Sequence, residues 1–125
     1  MTQVTSQARQ KAETKTMSTN YTYFADLAAE AEVPENGILS RTLHNDDHVK
    51  VVLFGFAAGQ ELSAHTAPMA AMLYFVKGDA KVTLGEDVQD VGAGAFAYMP
   101  PQLPHAIVAT TPVVMLLSMY KQSRG

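Results

Sequence analysis

The chain has 125 residues, a formal charge of −3 and no cysteine. Its length fits one domain that buries a usable core without cross-links. Disulfide frameworks, thiolate metal sites and cysteine nucleophiles are excluded outright. The nine Lys and Arg are scattered, so nucleic acid is not an expected partner.

Residues 1–20 are polar and nearly free of large apolar side chains, which marks them as a flexible N-terminal segment. They lack the apolar stretch of a secretory signal, and no later run has the length of a membrane span. A cytoplasmic protein without membrane contact is expected. Residues 21–125 are assigned to one folded domain.

Tyr21, Phe24, Leu27, Ala28 and Ala31 recur at near-helical spacing, so a short helix or turn is expected before Pro34 and Gly37. From Ile38 the pattern changes to short apolar runs. These are Ile38–Leu43, Val49–Ala57, Met72–Val76, Ala80–Leu84, Ala95–Met99, His105–Ala109 and Val113–Tyr120. Turn-forming clusters separate them, among them Asn45-Asp46-Asp47, Lys77-Gly78-Asp79 and Gly85-Glu86-Asp87. Many short strands at such intervals predict an all-β sandwich or barrel. The Ile38–Leu43 or Val113–Tyr120 run is expected to supply an otherwise exposed sheet edge.

Two histidines stand at comparable places. His65 and His105 each lie beside a proline-containing turn near an apolar run. Gly59 precedes His65, with Ala67, Ala71 and Gly78 following; Gly94 and Pro100 precede His105, with Gln102 between and Ala109 after. This pattern resembles the cupin family over about residues 38–120. The first cupin motif is Gly, five residues, His, one residue, His, three or four residues, Glu, six residues, Gly. Here Ala67 replaces the second His and Ala71 the Glu. The second motif is Gly, five residues, Pro, one residue, Gly, two residues, His, three residues, Asn. Here Gln102 replaces the Gly and Ala109 the Asn. The resemblance implies a jelly-roll β-barrel with a short N-terminal extension, and a homodimer paired through such an edge strand. It also implies a pocket inside the barrel that keeps two of four metal ligands, His65 and His105.

Strand parity gives positions 65, 67 and 71 one facing, together with 73 and 75. The expected pocket is His65, Leu73, Phe75, Tyr98, His105 and Ile107. Two imidazoles fall short of the three protein ligands of catalytic zinc and of the two-His-one-carboxylate iron site. Water, a substrate oxygen, Met69 or Tyr98 would have to complete a site for Zn, Fe, Ni, Mn or Cu, with Met pointing to a soft ion such as Cu(I).

Two functional classes follow. In one, the barrel binds a small organic molecule through the two imidazoles. In the other, His65 and His105 anchor a divalent ion in an enzyme of the dioxygenase, isomerase or lyase type. A histidine in a β-protein is often a hydrogen-bonded core residue. Met69, Met72, Met99, Met115 and Met119 fall in or beside the apolar runs and serve as core filler or, alternatively, line part of a hydrophobic ligand pocket. His44 and His48 flank a solvated turn.

Overall fold

A computed structural model describes residues 20–122; the segment 1–19, most of the stretch expected to be flexible, lies outside them. One helical turn, α1 (Leu27–Glu30), is followed by nine strands among the described residues. They are β1 (Ile38–Asn45), β2 (Val49–Phe56), β3 (Glu61–His65), β4 (Ala71–Lys77), β5 (Ala80–Leu84), β6 (Asp87–Val91), β7 (Phe96–Met99), β8 (His105–Ala109) and β9 (Val113–Tyr120). All pairings are antiparallel. One sheet runs β1-β2-β9-β4-β7 and the other β3-β8-β5-β6. This is the all-β architecture expected from the run-and-turn pattern, in the jelly-roll form that the family resemblance implies.

The inner faces of the two sheets meet in one core. Phe56, Leu73, Phe75, Met99 and Met115 come from the first sheet, and Val82, Ile107 and Ala109 from the second; all are buried. On β4 burial alternates strictly: Ala71, Leu73 and Phe75 point inward, while Tyr74 is exposed. That is the period of a strand with one face in the core.

Two strands escape the sequence reading, β3 and β6. Both are edges of the second sheet. Their sequences, ELSAH and DVQDV, are mostly exposed and carry acidic residues, as edges that resist further pairing do. One edge expectation is corrected: β9 lies between β2 and β4, so Val113–Tyr120 offers no free edge. Its long apolar sequence is that of a central strand. The edges of the larger sheet are β1 and β7.

The expected helix shrinks to one turn, capped where the Asp26 carboxylate accepts from the Ala28 N–H. So short a helix is unstable by itself. The segment instead crosses the outer face of the larger sheet, where Arg41 pairs with Glu30 at 2.8 Å and lies over the Phe24 ring. Leu53, on that outer face, is buried with it. Gly55 permits the close crossing, because a Cβ there would collide with the Glu32 carbonyl. Gly78 is required twice over: its φ is +91°, and a Cβ would strike the Pro112 carbonyl.

Candidate functional site

β3 and β8 are adjacent antiparallel strands, and His65 is the register partner of His105. Partners in such a pair share one face of the sheet. The two rings lie with centroids 4.3 Å apart and planes tilted by 56°. His105 is buried, whereas His65 is exposed at the rim.

Each ring is tied down in the same manner. His65 Nδ1 lies 2.9 Å from the Ser63 carbonyl oxygen, and His105 Nδ1 lies 2.9 Å from that of Leu103. A carbonyl oxygen only accepts, so each Nδ1 carries the hydrogen and donates it. In the neutral ring, Nε2 then keeps a lone pair. The pair thus presents two oriented acceptors, each locked by the carbonyl two residues before it.

The loops flanking the two histidines are joined as well. The Gln102 N–H donates to the Ala67 carbonyl at 2.7 Å. Gln102 has φ +69°, the only positive φ among the described non-glycine residues. It stands where the cupin motif places glycine. The turn demands left-handed backbone, and glutamine adopts it at a cost of about 1–2 kcal/mol.

A cavity of about 70 Å³ opens beside the rings. His65, Ala67, Met69, Ala71, Met99 and His105 line it, together with Leu117 and Met119. Leu73, Phe75 and Ile107 do face inward as expected, but they lie deeper, at 1–2% exposure, and fill the core. Tyr98 is corrected: it is 56% exposed on the outer face, paired with Met72, and its neighbour Met99 faces the cavity instead. The parity argument for residues 65–71 also needs revision. β3 ends at His65 and β4 begins at Ala71, so an irregular loop separates them, yet Ala67 and Ala71 still border the cavity.

Met99 and Met119, read from the sequence as core filler or part of a pocket wall, both border the cavity. Both are register partners of Ala71, one on each neighbouring strand. Only the pairing of β4 with β7 and β9 reveals this.

Away from the barrel, His44 is hydrogen-bonded at both nitrogens, to Asp46 at 2.7 Å and to Thr22 at 2.9 Å. Asp46 also accepts from the His48 and Val49 N–H groups, which closes the turn. The His44 hydrogen bond, and after it those two amides, hold the Asp46 carboxyl well below the usual carboxylate range. This is a structural turn, as the sequence suggested.

A Cupin domain family model matches residues 52–119, more than half of the chain and both histidines. The chain belongs to the cupin family. Solved cupin-like structures resemble it over most of its length. A protein of unknown function from Streptococcus pyogenes is 29% identical, with a TM-score of 0.75, covering 87% of this chain and 99% of that one. A cupin superfamily protein from Desulfitobacterium hafniense is 25% identical, with a TM-score of 0.74, covering 86% and 97%. An RmlC-like cupin from Shewanella frigidimarina shares the fold at 18% identity and a TM-score of 0.70, covering 85% and 95%. No curated protein matches the chain.

Cupins often hold a divalent metal at the position of these two histidines. Among the described residues, no three His, Cys, Asp or Glu side chains come together as a metal-binding group. Two neutral imidazoles without a carboxylate do not fit the zinc or non-haem iron donor sets.

Proposed function

We propose that this cupin is a binding barrel that takes the polar end of a small organic molecule between His65 and His105. The observation carrying this reading is the shared tethering of both Nδ1 atoms to backbone carbonyls, which leaves Nε2 as the acceptor of each ring in a pair that lines one cavity. Two adjacent acceptors suit a ligand with two O–H or N–H donors, such as a vicinal diol. A cavity of about 70 Å³ admits a group of few heavy atoms, so the rest of the ligand sits at the rim beside His65. Binding sites for whole drug-sized molecules are larger, on the order of 300–1,000 Å³.

A second reading is a metal-dependent enzyme in which the same two Nε2 atoms hold a divalent ion. It is favoured by the carbonyl-tethered rings, since metal-binding histidines commonly donate their other N–H in this way. The empty carboxylate position, Ala71, puts it second.

The proposal includes a cytoplasmic homodimer. A cysteine-free composition suits a reducing compartment. The exposed Tyr74, Phe96 and Tyr98, on the outer face beside the free edge of β7, support self-association. Light scattering checks it: Phe96→Glu should convert a dimer to a monomer, and a monomeric wild-type protein ends this part of the reading.

Ligand binding is tested by native mass spectrometry of the purified chain and by thermal shift with a panel of small diols. A bound molecule or a raised melting temperature is expected for wild type and not for His65→Ala or His105→Ala. Equal responses from wild type and both variants would remove the pocket from consideration.

A further inference from the structure

Three of the chain's seven methionines, Met69, Met99 and Met119, line the cavity that holds both imidazoles. Met99 and Met119 flank Ala71 in register on either side. Ala71 occupies the place of the cupin carboxylate. The pocket has therefore exchanged an oxygen anion for a methyl group, with a methionine in register on each neighbouring strand.

The remaining donors are neutral nitrogen and sulfur. Hard cations such as Ca²⁺ and Mg²⁺ require oxygen ligands. Zinc and iron sites add an anionic or third imidazole ligand. A neutral donor set also does little to offset a double charge in a mostly apolar cavity. A singly charged ion of similar size incurs roughly a quarter of the Born cost, which scales with charge squared. Thioethers select Cu(I), and imidazole binds copper readily. The exposed rim at His65 leaves an entry path.

We infer that the His65–His105 pocket is a Cu(I) site, with the two Nε2 atoms and thioether sulfur from Met69, Met99 and Met119 as donors. The inference rests on this pocket being the protein's binding site and names a soft monovalent metal as an occupant. It involves no electron transfer; copper enters and leaves as Cu(I).

The test is titration of the full chain with Cu(I) under anaerobic, reducing conditions, in competition with a chromophoric Cu(I) chelator. X-ray absorption of the loaded protein reads the donor atoms. One equivalent is expected, with both nitrogen and sulfur scattering. Replacing Met69, Met99 and Met119 together by Leu preserves side-chain volume, so the fold should persist, as circular dichroism will check. That variant should lose sulfur scattering and weaken Cu(I) binding about 100-fold, through loss of its soft ligands. His65→Ala and His105→Ala should each weaken it at least about tenfold. A His44→Ala/His48→Ala variant should bind as wild type does.

Absence of a stoichiometric site overturns the inference. So does unchanged affinity in the triple Leu variant, displacement by equimolar Zn(II), or loss of the copper in the His44/His48 variant. Diol thermal shifts on the same proteins separate the two readings. Diol binding that depends on both histidines, without copper binding, rejects only the copper inference. Loss of both probes rejects the pocket itself.

Discussion

His105 is buried and His65 exposed, although the two are register partners whose rings touch across β3 and β8. One imidazole is thus part of the core wall, and the other belongs to the pocket rim. The same substitution at the two positions has different consequences.

His105→Ala should destabilise the protein by about 1–3 kcal/mol, through a cavity and the Leu103 carbonyl left without its donor. His65→Ala should cost under about 1 kcal/mol, because its bond to the Ser63 carbonyl is replaced by water. Urea unfolding of both variants checks this. Equal losses would contradict the assignment of one ring to the core and one to the rim.

Restoring the missing ligands should create a divalent site. Ala67→His combined with Ala71→Glu returns the cupin donor pattern beside His65 and His105. Without metal, the variant should be less stable than wild type by at least about 1–3 kcal/mol, since Ala71 is buried and a carboxyl there lacks partners. Zn(II) or Co(II) should raise its melting temperature while leaving that of wild type nearly unchanged. Co(II) absorption would report the coordination directly. A variant indifferent to both ions would show that the two alanines do not face the imidazole pair.

Gln102→Gly should stabilise the fold. The φ of +69° costs glutamine about 1–2 kcal/mol, against about 0.5–1 kcal/mol for the added freedom of glycine in the unfolded chain. A net gain of about 0.5–1 kcal/mol is expected. The bond from the residue 102 N–H to the Ala67 carbonyl should persist, so ligand binding is retained. A lower melting temperature would mean that the Gln102 side chain stabilises the turn more than its backbone strains it.

Asp46 should give stability a pH dependence of its own. Its folded-state carboxyl is held below the usual range by His44, Val49 and His48. A depressed pKa contributes stability that is complete above the unfolded value, about 3.9, and is lost as pH falls towards the folded one. Asp46→Asn keeps the side-chain oxygen for the two amides but removes the charge. Wild type should exceed this variant in melting temperature by a constant margin above about pH 5, and the margin should shrink steadily below about pH 4. A margin independent of pH would assign the turn's stability to its shape alone.

The strands that bury a face were legible in the sequence. β2, β4, β5 and β9 match apolar runs closely, because their inner side chains must alternate or cluster to fill the core. β3 and β6 were not, because an edge strand is held by backbone hydrogen bonds and needs no apolar pattern. Tyr98 is expected in the pocket as a side chain that would complete a metal site. The register of β7 against β4 turned it outward and brought Met99 in, and a one-residue change of facing exchanges the two sides of a strand.

By itself, the sequence determined the β-rich architecture, the family resemblance and the two histidines. Run lengths, turn residues and motif spacing are local properties, and they are written along the chain. The tertiary structure alone decided that the rings of His65 and His105 meet, that both Nδ1 atoms are tethered to backbone carbonyls, and that Met99 and Met119 flank Ala71. Those facts depend on which strands become neighbours and in what register. Residues distant in sequence settle that together, when the two sheets close over a common core.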